Sequence, residues 1–319
     1  MTLMMTAKNL ANEKNLINTF TIKQDHKNRT VNNPIPELKK ALQLFNKKLT
    51  KIYESELIAN DLDRIAQAYL PNKSIITNAT VHQHSKMILK YDFSHFYDDV
   101  RFDYFEKYIY KLEPEMTNKN KHLIKRLLIN PNTNGVTQGL PVSGALAGLA
   151  LIPFWLELKK ALPSTIKFTQ YSDDLTFSYT TPKAPSKFNM GYLTRQIKQA
   201  MIKSKRNFTI NEKKTAVQKD QFRTITGVHV NHENKKTPSL KDYRFLRMFS
   251  YALQRGTPLD ECLSKWGFKS KAAFTGKVAY MRSIDETGKV DKLLHKYATE
   301  YLRNDLFKTW LVQTNPFIS

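Results

Sequence analysis

Residues 168–179 read FTQYSDDLTFSY, two runs of aromatic and β-branched residues enclosing a pair of adjacent carboxylates. Runs of this make-up bounded by turn formers predict two strands joined as a hairpin, with Asp173 and Asp174 at its tip. Adjacent aspartates in a turn are ordinarily solvated turn formers, so the pair alone decides little. The chain around it is basic: 51 Lys and Arg face 28 Asp and Glu, a formal net charge of +23 over 319 residues. The excess runs from Lys8 to Arg303 and suits a protein that tracks a polyanion along a groove. A basic protein without a nucleic-acid partner would carry the same charge.

A second carboxylate gives the pair a context. Asp92 ends the hydrophobic strand-like run MILKYD, where a buried charge is costly unless it meets a cation. Lys90, two residues earlier, shares its strand face and offers an ordinary ion pair. If the Asp92 strand lies beside the hairpin, the carboxylates converge and repel. A divalent metal makes such a cluster sensible, and hard oxygen donors without a Cys or His cage select Mg²⁺ or Mn²⁺. Two ions about 3.5–4 Å apart would stabilise the attacking and leaving oxygens of an in-line phosphoryl transfer. Because successive strand residues point to opposite faces, Asp173 and Asp174 are expected to differ, with Asp173 the stronger ligand.

Working outward, TFTIKQDHKNRTVN predicts a hairpin around QDHKN, with Lys23 and Arg29 on its arms. Leu38, Ala41, Leu42, Phe45, Leu49 and Ile52 predict a helix from Pro36 to Asn60. VRFDYFEKYIYKL predicts another, with Asp98 or Asp99 at its N-cap. GALAGLALIPFWLEL is too short and interrupted for a membrane span and predicts a buried helix. LTRQIKQAMIKSKRN predicts a Lys-rich helix, followed by a strand pair spanning FTINEKKTAV and RTITGVHVN, and helices to the end. Cys262 is the only cysteine, which excludes disulfides and Cys-based zinc sites and is compatible with a reducing, cytoplasmic compartment.

Taken in order, Asp92 in YDFSHFYDDV, the loop VTQGLPVSG, the tip YSDD and INEKKT resemble the palm motifs of reverse transcriptases. NATVH at Asn78 to His82, and ITG at Ile225, Thr226 and Gly227, resemble the bacterial retron branch. The likeness runs from about Lys23 to Asn231, and the tail with AFTGKVAYMRSI is similar to a retron thumb. The resemblance implies an α+β right hand: N-terminal helices and fingers hairpin in 1–85, palm with inserted fingers elements in 86–231, helical thumb in 232–319.

It also implies roles. Asp92, Asp173 and Asp174 would be catalytic and bind two Mg²⁺, with the Phe93 carbonyl as a further ligand. Tyr97 would be the aromatic gate that leaves no space for a sugar 2′-hydroxyl. Gln138 and Gly139 would let backbone approach the nucleotide, Lys23 and Arg29 would reach its triphosphate, and Lys214 the leaving pyrophosphate. Each has an ordinary reading as well: a core aromatic, a loop glycine, solvated lysines. Asn78, His82, Ile225, Thr226 and Gly227 would face RNA, although His82 also reads as a structural histidine.

The implied enzyme is an RNA-directed DNA polymerase, a nucleotidyltransferase using dNTPs. It would copy a cognate structured noncoding RNA, primed from a guanosine 2′-hydroxyl, into branched RNA-linked DNA (msDNA). About 80 residues after the palm suffice for a thumb, so template removal is expected from a host RNase H, and an anti-phage role from a separate effector protein. The sequence departs from the pattern at three places: Gly144 follows Ser143 where proline is usual, Gly148 replaces a common asparagine, and ITG begins with Ile. An untemplated abortive-infection type of enzyme and a non-catalytic RNA-binding scaffold are the alternatives.

Overall fold

Strands β1 (Ile17–Gln24) and β2 (Lys27–Pro34) pair antiparallel, from Ile17 opposite Pro34 to Gln24 opposite Lys27, in a computed structural model that describes residues 2–24, 27–219 and 223–301. Phe20 and Ile22 stay largely exposed, so this ribbon adds little to the core. The Pro36–Ala59 helix follows with Pro36 in its first turn, where a missing N–H costs nothing. It buries Leu38, Ala41, Leu42, Phe45 and Leu49 as the periodicity predicts, and continues with Tyr53 and Leu57.

The central sheet is built from β3 (Met87–Ser94), β4 (Ile166–Tyr171), β5 (Asp174–Tyr179), β6 (Thr209–Ile210) and β7 (Ala216–Lys219). Its order is β4-β5-β3-β6, with β7 also pairing β3. The β4–β5, β5–β3 and β3–β6 pairs are antiparallel. The Ser143–Ala161 helix is apolar almost all round and correspondingly buried. Beside it packs the Met190–Ser204 helix, which buries Leu193, Ile197, Ala200 and Met201. No described helix is long and apolar enough to cross a membrane.

Two local expectations are corrected. Asp98 and Asp99 do not cap a long helix; they lie inside the one-turn Phe96–Asp99 helix, and the next full helix is Glu106–Leu112. The turn starts early because His95 takes a left-handed conformation (φ 51°) and Val100 is extended. Nor do FTINEKKTAV and RTITGVHVN form one strand pair. Thr209–Ile210 pairs with β3, while β8 (Arg223–Ile225) folds back on β9 (Val228–Val230) in a separate sheet completed by β10 (Lys236–Thr237).

The chain divides into two compact units between Val217 and Gln218. The polar stretch HENKKT, where the thumb is expected to begin, holds part of the turn and all of β10 in a hairpin in which Lys236 pairs with Val230, so a cut there would break a ladder. Helices Leu240–Gln254, Leu259–Lys265, Lys271–Ile284 and Lys289–Tyr301 complete this second unit. Its own core gathers Leu246, Phe249, Cys262, Phe274, Val278 and Met281.

Candidate active site

The β3–β5 register sets Asp92 directly opposite Asp174. Tyr171 pairs with Asp174 across the β4–β5 hairpin, leaving Ser172 and Asp173 as a two-residue turn. The alternation expected to separate the two aspartates therefore does not reach Asp173, which lies in the turn and not in a strand. The Asp173 carbonyl accepts from Phe93 N–H at 3.0 Å, tying the tip to β3. Ser172 makes the reversal with φ 57°, a left-handed backbone that costs a non-glycine residue strain.

Asp92 is buried, and its cation is Lys214, not Lys90. Lys214 Nζ donates to Asp92 Oδ1 at 2.7 Å, and Asn211 Nδ2 donates to Oδ2 at 3.1 Å. Asn211 N–H also donates to the Asp92 carbonyl at 2.7 Å, so the Glu212–Lys214 turn of INEKKT is anchored on the strand it serves. The Asp92 hydrogen bond lifts the Lys214 ammonium above the usual lysine range. Burial raises Asp173, and the Asp92 charge adds to the effect. Burial also raises Asp174, where nearby Lys90 opposes it while Asp173 and Asp92 reinforce it.

Beside the carboxylates lies a cleft of about 280 Å³ whose lining includes Tyr97, Gly139, Ser143, Gly144 and Tyr69. Tyr97 and Gly139, both expected at the nucleotide, thus share one cavity. Gly139 has φ 94°, and a Cβ there would stand 3.1 Å from the Asn32 carbonyl oxygen, so the position favours glycine twice over. Gln138 offers its carbonyl to Asn32 Nδ2 at 2.9 Å, which fixes the loop to β2. The two glycine departures have local causes: a Cβ on Gly144 would meet the Tyr69 ring at 2.3 Å, and one on Gly148 the Tyr53 ring at 2.3 Å. The helix is hollowed to seat two tyrosines.

Other candidates lie elsewhere. Asn78 and His82, expected to face RNA, are buried behind β4 and β5. His82 Nδ1 lies 2.7 Å from Ser178 Oγ and Nε2 2.7 Å from Thr169 Oγ1, which donates to Asn78 Oδ1 at 2.5 Å. With Thr169 donating onward, Nε2 carries the ring proton and Nδ1 accepts from Ser178. Burial pushes His82 down to about 3. It is the structural histidine, locking the Ile75–His82 helix to the sheet.

Ile225 is buried, whereas Thr226 and Gly227 form the β8–β9 turn, both with positive φ, and Gly227 is exposed. Exposed Lys23 pairs with Asn28 and Arg29 with Ile22; the Arg29 side chain lies outside the described residues. The Phe93 ring is buried against Phe96, Phe154 and Phe208.

Sequence reasoning missed Tyr69 and Asn211. Asn211 stands inside the quoted INEKKT, so its motif was in view. Nothing in the run around Tyr69 signals that its hydroxyl reaches the tip.

The donor set suits a hard divalent cation: acceptor-only oxygens, with two of the carboxylates raised by burial and by their neighbours' charge. Lys214 supplies the positive charge at Asp92, and among the described residues no three acidic, His or Cys side chains are drawn into a ligand cluster. The residues fit such an ion chemically.

Residues 22–230 match the family model of the reverse transcriptase (RNA-dependent DNA polymerase). The chain is 25% identical over 200 residues to the retron Ec83 reverse transcriptase of Escherichia coli, covering 60% of this chain and 62% of that one. It is also 25% identical over 286 residues to the retron Mx162 reverse transcriptase of Myxococcus xanthus, covering 79% and 55%. The chain thus spans less than two thirds of the length of these curated relatives. Among solved structures, apo telomerase from Candida tropicalis aligns with a TM-score of 0.53 at 10% identity, covering 93% of this chain and 61% of that one. This last likeness bears on the fold alone.

Proposed function

Because the chain belongs to the reverse transcriptase (RNA-dependent DNA polymerase) family, we propose that it is an RNA-directed DNA polymerase of retron type, copying a cognate structured noncoding RNA into branched msDNA within an anti-phage system. The single observation that carries the reading is the register of Asp92 against Asp174, with Asp173 in the adjoining turn and Lys214 on Asp92.

In the reaction a primer hydroxyl attacks the α-phosphate of a dNTP; the new phosphodiester bond forms as the bond to the β-phosphate bridge breaks and pyrophosphate leaves. Asp92, Asp173, Asp174 and the Phe93 carbonyl would hold two Mg²⁺, with Mn²⁺ as substitute. Bound metal would supply charge stabilisation at the attacking and leaving oxygens. Gln138 and Gly139 shape the wall for the incoming nucleotide, and Tyr97 bears on its sugar. Lys214, held on Asp92 but more than half exposed, has the reach to meet the pyrophosphate. Lys23 and Arg29 serve the triphosphate from the ribbon.

Thr226 and Gly227 offer the exposed turn for RNA, whereas buried Asn78 and His82 act by holding their helix. Fingers would occupy 1–85 and the palm would follow from 86, with the thumb in the helices of the second unit, which begins at Gln218. A host RNase H and a separate effector protein complete the system in the cytoplasm.

The test is the RNA that copurifies with the protein from cells. A short folded transcript joined to DNA through a 2′-branch supports the retron reading, and random RNA without linked DNA contradicts it.

A further inference from the structure

Tyr69 joins the two halves of the site, although nothing in its own sequence neighbourhood marks it. Its hydroxyl lies 2.6 Å from Tyr97 Oη and donates to Ser172 Oγ at 2.6 Å. Since its one proton goes to Ser172, Tyr97 must donate to Tyr69. Ser172 is the residue before Asp173 in the two-residue turn between β4 and β5. A continuous hydroxyl chain therefore runs from Tyr97, across Tyr69, to the turn that carries Asp173.

The fold brings Tyr69 there deliberately. Residues 65–67 lie along β4: Gln170 N–H donates to the Ile65 carbonyl at 2.8 Å, and Gln67 N–H donates to the Gln170 carbonyl at 2.9 Å. Gln170 holds the turn from below, its Nε2 donating to the Ser172 carbonyl at 2.8 Å while Trp155 Nε1 donates to its Oε1 at 3.3 Å. Two residues beyond Gln67 the backbone turns left-handed at Tyr69, φ 63°, a conformation that costs an aromatic residue free energy. The ring then rests on Gly144, where an added Cβ would meet it at 2.3 Å. Tyr69 is 45% exposed, so core packing does not explain its strained backbone and glycine seat.

We propose that Tyr69 is a positioning residue that fixes the Tyr97 ring and the Ser172–Asp173 turn relative to each other, and thereby sets discrimination between deoxyribo- and ribonucleoside triphosphates. The proposal rests on the polymerase reading. A tyrosine ring that is free to rotate admits a 2′-hydroxyl; one whose oxygen is held cannot retreat.

The test compares wild type with Tyr69→Phe, which removes only the hydroxyl, and Gly144→Ala, which displaces the ring. Two readouts are taken: kcat/KM for a dNTP against the matching rNTP, and binding of both nucleotides to the complex on a chain-terminated primer. Tyr69→Phe is expected to narrow the preference for dNTP about fivefold, the worth of one hydrogen bond, and Gly144→Ala at least as much. A purely structural role would lower both nucleotides together, and an unchanged ratio in both variants overturns the proposal. Failure of the wild type to extend any primer would count against the polymerase reading instead, and the binding ratio would still decide the role of Tyr69.

Discussion

Lys214 donates to Asp92 Oδ1 at 2.7 Å across 122 residues of sequence, so the cation on Asp92 comes from the turn after β6, while Lys90 on the Asp92 strand acts on Asp174 instead. Lys214→Gln is expected to cost less than about 1 kcal/mol of stability, because the ammonium is more than half exposed and screened by solvent. The same change is expected to lower primer extension about tenfold or more, since a buried Asp92 then keeps only Asn211. Because folding raises the Lys214 pKa, the ion pair's contribution is complete below the ordinary lysine range and lost only as pH rises above it. Urea unfolding between pH 7 and 11 measures it.

Asp173 and Asp174 behave in the opposite sense to most paired carboxylates. Their folded pKa values are raised, by burial first and then by neighbouring charge, so the stability they contribute is present below the usual carboxylate range and lost as pH rises through the folded values. Asp174→Asn is therefore expected to raise the Tm of metal-free protein at pH 7 by roughly 2–4 °C. The gain should shrink toward pH 4, and thermal melts in chelator across that range check it.

For His82 the sign reverses. Its folded pKa falls to about 3, so its contribution is present above the ordinary histidine value of about 6.5 and lost as pH falls from there toward the folded value. His82→Leu leaves Thr169 and Ser178 without their ring partner and is expected to cost about 2 kcal/mol at pH 7. The acid limb of its stability curve should be flatter than that of the wild type, as denaturant titrations from pH 7 to 4 would show.

Restoring the more usual asparagine at Gly148 should destabilise the chain, because any Cβ there meets the Tyr53 ring at 2.3 Å. An overpacked helix contact of this kind costs about 1–3 kcal/mol. Tyr53→Ala combined with Gly148→Asn is expected to be less destabilised than the sum of the two single changes. A double-mutant cycle on Tm or urea midpoint measures the coupling.

Much of this fold was legible because local signals and tertiary demands agree. Leu38 to Leu49 fall on one helical face that is then buried, and the aromatic runs around Asp173 do form β4 and β5. Signals failed where long-range contacts decide. A lysine two residues from Asp92 was the nearest partner in sequence, yet the β3–β6 pairing delivers Lys214. Asn78 and His82 sit in a motif expected to face RNA, but burial against Thr169 and Ser178 is a property of the sheet they pack on. The glycines at 144 and 148 read as departures from a pattern until the tyrosines above them come into view. Tyr69 had no local signature at all, since its position follows from the bridge between residue 66 and Gln170.

Primer extension on a defined RNA template, with dNTPs and a Mg²⁺ titration, tests the central claim most directly. Wild-type protein is expected to give DNA complementary to the template, and Asp173→Asn to give none despite folding with equal or greater stability. Product from both proteins, product unrelated to the template, or no product from wild type under any metal condition would contradict it.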